Sequence, residues 1–158
     1  MNKSLLRESI LAQLRALLAL QVDAAQLARD EAISDESRAE NRYDTHSLEA
    51  GYLAEGQARQ AGEIEESIKI ISTLPLPDFG PGAPSALGAI IEVSEADGTA
   101  HAYFLAPRAG GLELTIDGRT LLVVTPQSPL GRQLLGKQRG DSVRLPNAKS
   151  LARINSIS

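Results

Sequence analysis

The sequence contains no cysteine and no tryptophan, and only 3% of its 158 residues are aromatic. Without cysteine the chain can form no disulfide bond, no thiol nucleophile and no cysteine-ligated metal site. Histidine is almost as scarce, because His46 and His101 are the only two and neither has a second histidine nearby. Nucleophile-elbow, phosphate-loop and metal-ligand motifs are also missing. These absences predict a protein that is not an enzyme and has no metal or cofactor of its own.

A long uninterrupted hydrophobic run is also lacking. The most apolar stretch, residues 5–22, is interrupted by the polar residues Arg7, Glu8, Gln13 and Arg15. A signal peptide or a membrane-spanning helix would exclude such charges from its centre. We therefore expect a cytoplasmic protein with no membrane segment.

The composition that remains is typical of an ordered soluble protein, with 42% hydrophobic and 23% charged residues. The length of the chain indicates one domain or two small ones. Its net charge of −4 is uneven, since residues 1–72 carry 8 basic and 13 acidic side chains whereas residues 73–158 carry 8 and 7. An acidic N-terminal half lacks the cationic surface that binds nucleic acid phosphates. Its partner is expected to be a protein or a cation-rich cavity.

Two helices are predicted in residues 1–72. The first, over residues 3–33, would span roughly 46 Å, and the second runs from about residue 47 to residue 72. Both contain apolar residues at alternating spacings of four and three, which is the pattern of a coiled coil. The first set is Leu6, Ile10, Gln13, Leu17, Leu20, Ala24 and Leu27, and the second is Ala50, Ala54, Gln57, Ala61, Ile64, Ile68 and Ile71. We interpret residues 1–72 as an antiparallel coiled-coil hairpin.

An acidic segment, residues 30–44, separates the two helices and holds six carboxylates against two arginines. Clustered carboxylates at an exposed tip are oxygen ligands suited to Mg²⁺. The alternative is a solvated charged turn whose acids favour a helix N-terminus. Ser37 and Glu40 have the spacing of a capping box, so the second helix is expected to begin between residues 37 and 47.

A linker and a second domain follow. Residues 73–84 contain four prolines and two glycines, so residues 73–88 are predicted to form a linker without helix or central strand. In residues 89–158, two pairs of apolar strands flank the turns at Asp97-Gly98 and Asp117-Gly118, which are hairpin signals. Ser128-Pro129 is a helix start, and Gly136 is the corresponding end. We therefore predict an α+β protein, with the coiled coil followed by a small antiparallel sheet and one short helix.

The segment from Thr125 to Val143 resembles the signature of the GreA/GreB family of bacterial transcription elongation factors. In that family a Ser-Pro-aliphatic element opens a short helix that ends in Leu-Leu-Gly-Lys or a close variant, and Gly-Asp and a strand follow. Here the matching residues are Ser128-Pro129-Leu130, Leu134-Leu135-Gly136-Lys137 and Gly140-Asp141. Family members also carry Asp-x-x-Glu-Asn at the coiled-coil tip, and Glu40-Asn41 matches its second half.

This resemblance implies an FKBP-like C-terminal domain over residues 89–158 that docks on RNA polymerase through Gln127, Ser128, Pro129 and Leu130. The coiled coil would enter the secondary channel of the polymerase, with Asp35, Glu36 and Glu40 as tip carboxylates supported by Asn41 and Asp44. In the family, the tip helps to hold a second Mg²⁺ of the polymerase active site and its attacking water, so that the polymerase cleaves backtracked RNA. The implied partner is RNA polymerase, contact with nascent RNA and DNA is indirect, and the protein is a monomer.

Two departures from the family pattern leave alternatives open. The acid before Glu40 is Glu36 or Asp35, four or five residues back rather than three, and Gln127 stands where the family often has an acidic or small polar residue. A regulator that occupies the channel without stimulating cleavage is therefore the second hypothesis. A prolyl isomerase, suggested by the FKBP-like fold alone, is the third, although fold does not determine function.

Overall fold

The structure, a computed structural model, describes residues 2–38, 46–148 and 150–158. Within them, the helices are α1 (Lys3–Arg38), α2 (His46–Ser72) and α3 (Pro129–Leu134). The strands are β1 (Ile90–Ser94), β2 (Ala100–Leu105), β3 (Glu113–Ile116), β4 (Arg119–Val124), β5 (Ser142–Val143) and β6 (Ala152–Ile157). The chain divides into two compact units: Met1–Leu11 with Ile70–Ser158, called the sheet unit here, and Ala12–Lys69, called the hairpin unit. The domain boundaries expected after residues 72 and 88 stay predictions.

The hairpin unit consists of two helical segments that run in opposite directions, since α1 leaves the sheet unit after Leu11 and α2 returns to it at Ile70. The predicted seam of α2 is confirmed where its side chains are described. Ala54 and Ala61 are buried, and Gln57, Ile64 and Ile68 are half-buried. Small residues at these positions let two helices approach closely.

The predicted seam of α1 is wrong at its leucines beyond Ile10, although Ala24 is half-buried as predicted. Leu17, Leu20 and Leu27 are 39%, 65% and 71% exposed. The buried or half-buried positions instead lie one residue later along the chain, at Leu14, Leu18, Gln21, Ala25, Ala28 and Ala32. Both sets follow the same spacing of four and three, so periodicity alone does not distinguish them. Ala25, Ala28 and Ala32 match the small residues of α2 in size, and this explains why the set with fewer leucines is the buried one.

The sheet unit contains one six-stranded sheet in the order β3-β4-β2-β1-β6-β5. Every neighbouring pair is antiparallel except β2 and β4, which are parallel with Tyr103 opposite Leu122. The sheet is therefore mixed, whereas the sequence predicted an antiparallel one. The burial of the two strands in the β3–β4 hairpin explains this difference. β4 is apolar from Leu121 to Val124 and lies inside the sheet beside β2. β3 alternates between buried and exposed residues, as an edge strand does.

Both predicted hairpin turns are present. Asp117 and Gly118 both have positive φ, 52° and 74°, which is the geometry of a tight two-residue turn between β3 and β4. At the other turn only Gly98 has positive φ, and Glu95 N donates to Thr99 O at 2.8 Å, so the loop from β1 to β2 is longer. The two aspartate-glycine pairs therefore mark turns of different types.

The core of the sheet unit lies on both faces of the sheet. On one face, Leu130 and Leu134 of α3 pack in a cluster with apolar residues from five of the strands, Tyr103 and Leu105 among them. Phe104 alternates with these residues along β2 and is also fully buried, on the opposite face. Leu6, Ile10 and Ile71, at the bases of α1 and α2, are fully buried as well and belong to the same unit.

The start of α1 is anchored within the sheet unit. Asn2 caps the helix, because its Oδ1 accepts from Ser4 N at 2.9 Å and from Leu5 N at 3.2 Å. The ammonium of Lys3 donates to Pro77 O and lies 4.7 Å from the centre of the Phe79 ring. Burial there lowers the pKa of Lys3, although the nearby Asp78 opposes the shift. The segment after α2 is thus bonded to the beginning of the chain.

By length and composition, α1 over Lys3–Ser34 is apolar enough to cross a membrane. This is weak evidence, since a core helix of a soluble protein or an N-terminal signal sequence satisfies the same criteria. Leu6, Ile10, Leu11 and Leu14 of this helix are buried inside the fold. The absence of a membrane segment stays a prediction.

Candidate functional site

The acidic tip lies largely outside the described residues. Helix α1 continues through the backbone of Asp35 and Glu36 to Arg38, five residues beyond the predicted end. Ser37 therefore lies inside α1 and does not begin the second helix, which starts at His46, within the expected range. The side chains of Asp35 and Glu36 are not described, and Glu40, Asn41 and Asp44 lie outside the described residues.

The second candidate region, the corner at the start of α3, is fully described. Ser128 is its N-cap: the Oγ accepts from Gly131 N at 3.0 Å and donates to Thr125 O at 2.8 Å. Ser128 N also donates to Thr125 O at 2.9 Å. Pro129 occupies the first helical turn, where a missing N–H costs nothing. The Ser-Pro pair thus produces a short, rigid helix start.

Gly131 allows the loop before α3 to lie against the helix. A Cβ on this residue would lie 1.9 Å from Thr125 O, a backbone atom that no side-chain rotation can move. Gly110 is similarly close to this loop, since a Cβ there would lie 2.9 Å from Cγ2 of Thr125. The glycine at position 131 is therefore explained by packing.

The four predicted docking residues differ in accessibility. Gln127 and Pro129 are exposed, and Ser128 is half-buried with its hydroxyl already bonded twice. Leu130 is only 7% exposed and belongs to the core cluster beneath α3. Gln127 and Pro129 are therefore the two that offer side chains to a partner, whereas Leu130 and Ser128 hold the corner in shape.

The predicted linker closes the other end of α3. Ser85, in this segment, is 2% exposed, and its Oγ donates to Leu134 O and accepts from Lys137 N at 3.1 Å. The Ser85 backbone bonds to the same turn, through Ser85 N to Lys137 O and Gly136 N to Ser85 O, both at 2.8 Å. Sequence reasoning missed this role because a serine between prolines and glycines carries no signal of burial.

Gln133 is the second functional-site residue that the sequence did not reveal. Its Nε2 donates to Arg144 O at 3.2 Å, and its Oε1 accepts from Arg144 N at 3.0 Å. The amide therefore pairs with a backbone segment just after β5, as a neighbouring strand would. This pairing joins α3 to the edge of the sheet.

His101 has a structural environment in the sheet. Its Nε2 lies 2.8 Å from Oε1 of Glu95, and its ring is stacked 6.4 Å from that of Tyr103. Burial, and to a smaller extent the charge of Glu95, raise the pKa of Tyr103. A strand histidine that already has a carboxylate partner is explained without a catalytic role.

The three aromatic residues of the sheet unit, Phe79, Tyr103 and Phe104, do not form the pocket that a prolyl isomerase would need. Tyr103 and Phe104 are 6% and 0% exposed, so neither can line an open cavity. Phe79 lines two cavities, of about 350 and 210 Å³, but neither has a second aromatic residue in its lining. Within the described residues, no group of three histidine, aspartate or glutamate side chains could hold a metal ion.

Similarity to known proteins is weak in sequence and broad in coverage. No protein-family model matches the chain, and no curated protein matches it. Among solved structures, GreA factor homolog 1 (Gfh1) of Thermus thermophilus is 22% identical, with 94% of each chain covered and a TM-score of 0.38. A further structure of the transcription factor Gfh1 is 18% identical over 93% of this chain and 92% of that chain (TM-score 0.39), and Gfh1 of Thermus aquaticus is 22% identical over 92% of each (TM-score 0.37). Similarity at this level indicates neither a family nor an activity.

Proposed function

We propose that this protein is a Gre-type transcription factor that binds RNA polymerase, inserts its helical hairpin in the secondary channel and stimulates cleavage of backtracked RNA. The observation that supports this most strongly is the run from Thr125 to Val143. Its resemblance to the family signature covers consecutive residues, and each part has a defined place in the α3 corner. We also propose that it acts in the cytoplasm as a monomer.

The architecture is compatible with this proposal. Helix α1, with 36 residues, is roughly 54 Å long at the rise of an α-helix. The hairpin unit carries 6 basic and 12 acidic side chains over residues 12–69, so its net charge is −6. A long acidic hairpin suits a protein cavity with cationic walls better than a nucleic acid surface.

In this mechanism the chain has no catalytic centre of its own. Asp35, Glu36 and Glu40 would lend carboxylates to a Mg²⁺ ion and an attacking water at the polymerase active site, as oxygen ligands for which Mg²⁺ is well suited. Asn41 and Asp44 would support the tip. Gln127 and Pro129 would contact the polymerase, and any contact with nascent RNA or DNA would be indirect.

The decisive experiment measures transcript cleavage in a purified, backtracked elongation complex with Mg²⁺. We expect the wild-type protein to accelerate release of short 3′ fragments. Glu40→Ala and Glu36→Ala should remove this effect while polymerase binding, measured in parallel, is retained. Asn155→Ala, remote from the tip in sequence and located in β6, is the matched control. Undiminished cleavage by both tip variants would show that these carboxylates are not the reactive ones.

The altered spacing before Glu40 favours a second candidate function, a channel-occupying regulator without cleavage activity. In that case the wild-type protein binds polymerase, releases no fragments and inhibits an authentic cleavage factor in a competition assay. Lack of competition at saturating concentration would eliminate this second candidate.

A further inference from the structure

The C-terminal fifth of the chain has a strong charge asymmetry. Residues 128–158 contain one acid, Asp141, and six basic residues: Arg132, Lys137, Arg139, Arg144, Lys149 and Arg153. This segment therefore has a net charge of +5 within a chain whose net charge is −4. Neither the proposed tip chemistry nor the Ser128 corner explains this concentration of basic residues.

Two of the arginines are brought together by α3 and the end of β5. The amide of Gln133 bonds to both backbone groups of Arg144, at 3.0 and 3.2 Å. Arg132 directly precedes Gln133 in α3. The backbone of α3 at Arg132 is therefore held near the backbone of Arg144, and both arginine side chains are exposed.

Two more arginines lie beside β5, an edge strand of the sheet. Arg153 of β6 pairs in register with Ser142 of β5. Nη2 of Arg153 lies 3.6 Å from the position that a Cβ would take on Gly140. The Arg153 guanidinium is therefore beside Gly140, the residue that follows Arg139. Arg139 and Arg153 are exposed as well. Arg132, Arg139, Arg144 and Arg153 thus surround β5, and we call them the cationic face.

These four guanidinium groups are not neutralised by ion pairs in the part of the chain that the structure describes. None of them takes part in an ion pair there. The one acid of the segment, Asp141, uses its Oδ2 to accept from Gln138 N at 2.9 Å. Four like charges around a two-residue strand repel one another. A partner that supplies carboxylates would relieve this repulsion, and guanidinium groups bind carboxylates in bidentate fashion.

The surroundings of the cationic face favour a protein partner over a nucleic acid. β5 is the last strand of the sheet, Leu135 is 44% exposed three residues after Arg132, and Pro129 is exposed at the other end of α3. A protein partner can bury such apolar side chains. Single-stranded nucleic acids bind to exposed aromatic platforms, but Tyr103 and Phe104 of this unit are buried.

We propose that the cationic face is a docking surface for an acidic protein segment, and that in the polymerase complex it contacts an acidic surface of the polymerase. The second half of this statement rests on the proposed function. It extends the contact area from Gln127 and Pro129 along α3 to β5, and it makes affinity depend on salt concentration because exposed ion pairs are screened.

The first test uses the isotopically labelled full chain, titrated with polyglutamate and with a single-stranded RNA of equal charge, while amide NMR signals are recorded. We expect polyglutamate to shift signals of residues 132–153 at lower concentration than RNA. Arg139→Glu/Arg153→Glu should abolish these shifts, whereas Arg29→Glu/Arg59→Glu, an equal change of charge on exposed arginines of the hairpin unit, should preserve them. Tighter binding of RNA, or no shift with either probe, would overturn the inference.

The second test measures binding to core RNA polymerase over a range of salt concentrations. We expect Arg139→Glu/Arg153→Glu to weaken binding by about tenfold or more and to reduce its salt dependence, with partial recovery in Arg139→Lys/Arg153→Lys. Equal binding by wild type and the glutamate variant would refute the docking role while the proposed function stands. If the wild type fails to bind polymerase but polyglutamate still binds the cationic face, the proposed function fails and the acidic-partner inference stands.

Discussion

The buried hydroxyl of Ser85 makes two hydrogen bonds, since it donates to Leu134 O and accepts from Lys137 N. Alanine would leave a carbonyl and an N–H at the end of α3 without this partner. We expect Ser85→Ala to lower the free energy of unfolding by about 1–3 kcal/mol, measured by chemical denaturation. Ser4→Ala, at an exposed position, is the control. A change below that of the control would mean that water replaces the hydroxyl.

Gly131 is a second residue whose side chain, or lack of one, determines the corner. A methyl group there would collide with the backbone oxygen of Thr125, so the loop and α3 would have to separate. We expect Gly131→Ala to destabilise the protein by about 1–3 kcal/mol. Gly62 in α2 has open space around it, and Gly62→Ala should instead stabilise by up to about 1 kcal/mol. Equal effects of the two substitutions on the denaturation midpoint would contradict this assignment.

Tyr103 makes stability dependent on alkaline pH. Because burial raises its pKa, the folded state keeps the phenol protonated where the unfolded chain would ionise it. The stabilising contribution is complete below the unfolded pKa of about 10 and is lost as pH rises through the folded value. Tyr103→Phe should therefore flatten the stability profile above about pH 10. A spectroscopic phenolate titration should show one late-ionising tyrosine that the variant lacks, and an unchanged titration would refute the assignment.

At the level of elements, the seam of α1 gives a matched pair of leucines. Leu14 is 4% exposed and Leu20 is 65% exposed, although the sequence pattern favoured the set that contains Leu20. We expect Leu14→Ala to cost about 2–5 kcal/mol and Leu20→Ala to remain within about 0.5 kcal/mol of wild type, both by thermal and chemical denaturation. A larger loss of stability for Leu20→Ala than for Leu14→Ala would contradict this burial pattern and support the seam that the sequence predicted.

The elements themselves were largely predictable because their signals are local. Ser128 and Gly136 mark the limits of α3, and Asp117-Gly118 marks a hairpin turn through its backbone preference. The parallel pairing of β2 with β4 carries no local signal, since it depends on which strand of a hairpin is buried on both faces. The burial of Ser85 and the amide pairing of Gln133 also depend on residues 49 and 11 positions away. The chemistry of the tip rests on the family resemblance.

At the level of the whole molecule, the hairpin unit and the sheet unit differ both in net charge and in the side chains that they bury. The hairpin unit has a net charge of −6, which leaves +2 for the sheet unit. In the sheet unit, three central strands have long fully buried side chains such as Ile91, Phe104 and Val123. The buried side chains described in the hairpin unit are fewer, namely Leu14 and three alanines, and each of them is 4–9% exposed. The two units are thus expected to differ in local stability as well as in charge.

The hairpin unit should open without unfolding of the sheet unit. Its seam buries the carbonyl oxygens of Gln21 and Gln57 without a hydrogen-bond partner, and each such group costs about 1–3 kcal/mol. A pair of helices that buries little apolar area is sensitive to these costs, because helices receive most of their stability from packing. We expect amides of residues 12–69 to exchange through openings of lower free energy than amides of β1, β2 and β4, measured by native-state hydrogen exchange over a denaturant series.

A substitution in the seam separates this prediction from simple fraying. Gln57→Leu replaces the unpartnered amide by an apolar side chain of similar size, so it should slow exchange throughout the hairpin unit and leave the strands unchanged. Gln60→Leu, at an exposed position of the same helix, should have little effect. If both units exchanged with one free energy and one denaturant dependence, the molecule would be a single cooperative unit. In the proposed function, independent opening would let the hairpin adapt to its partner.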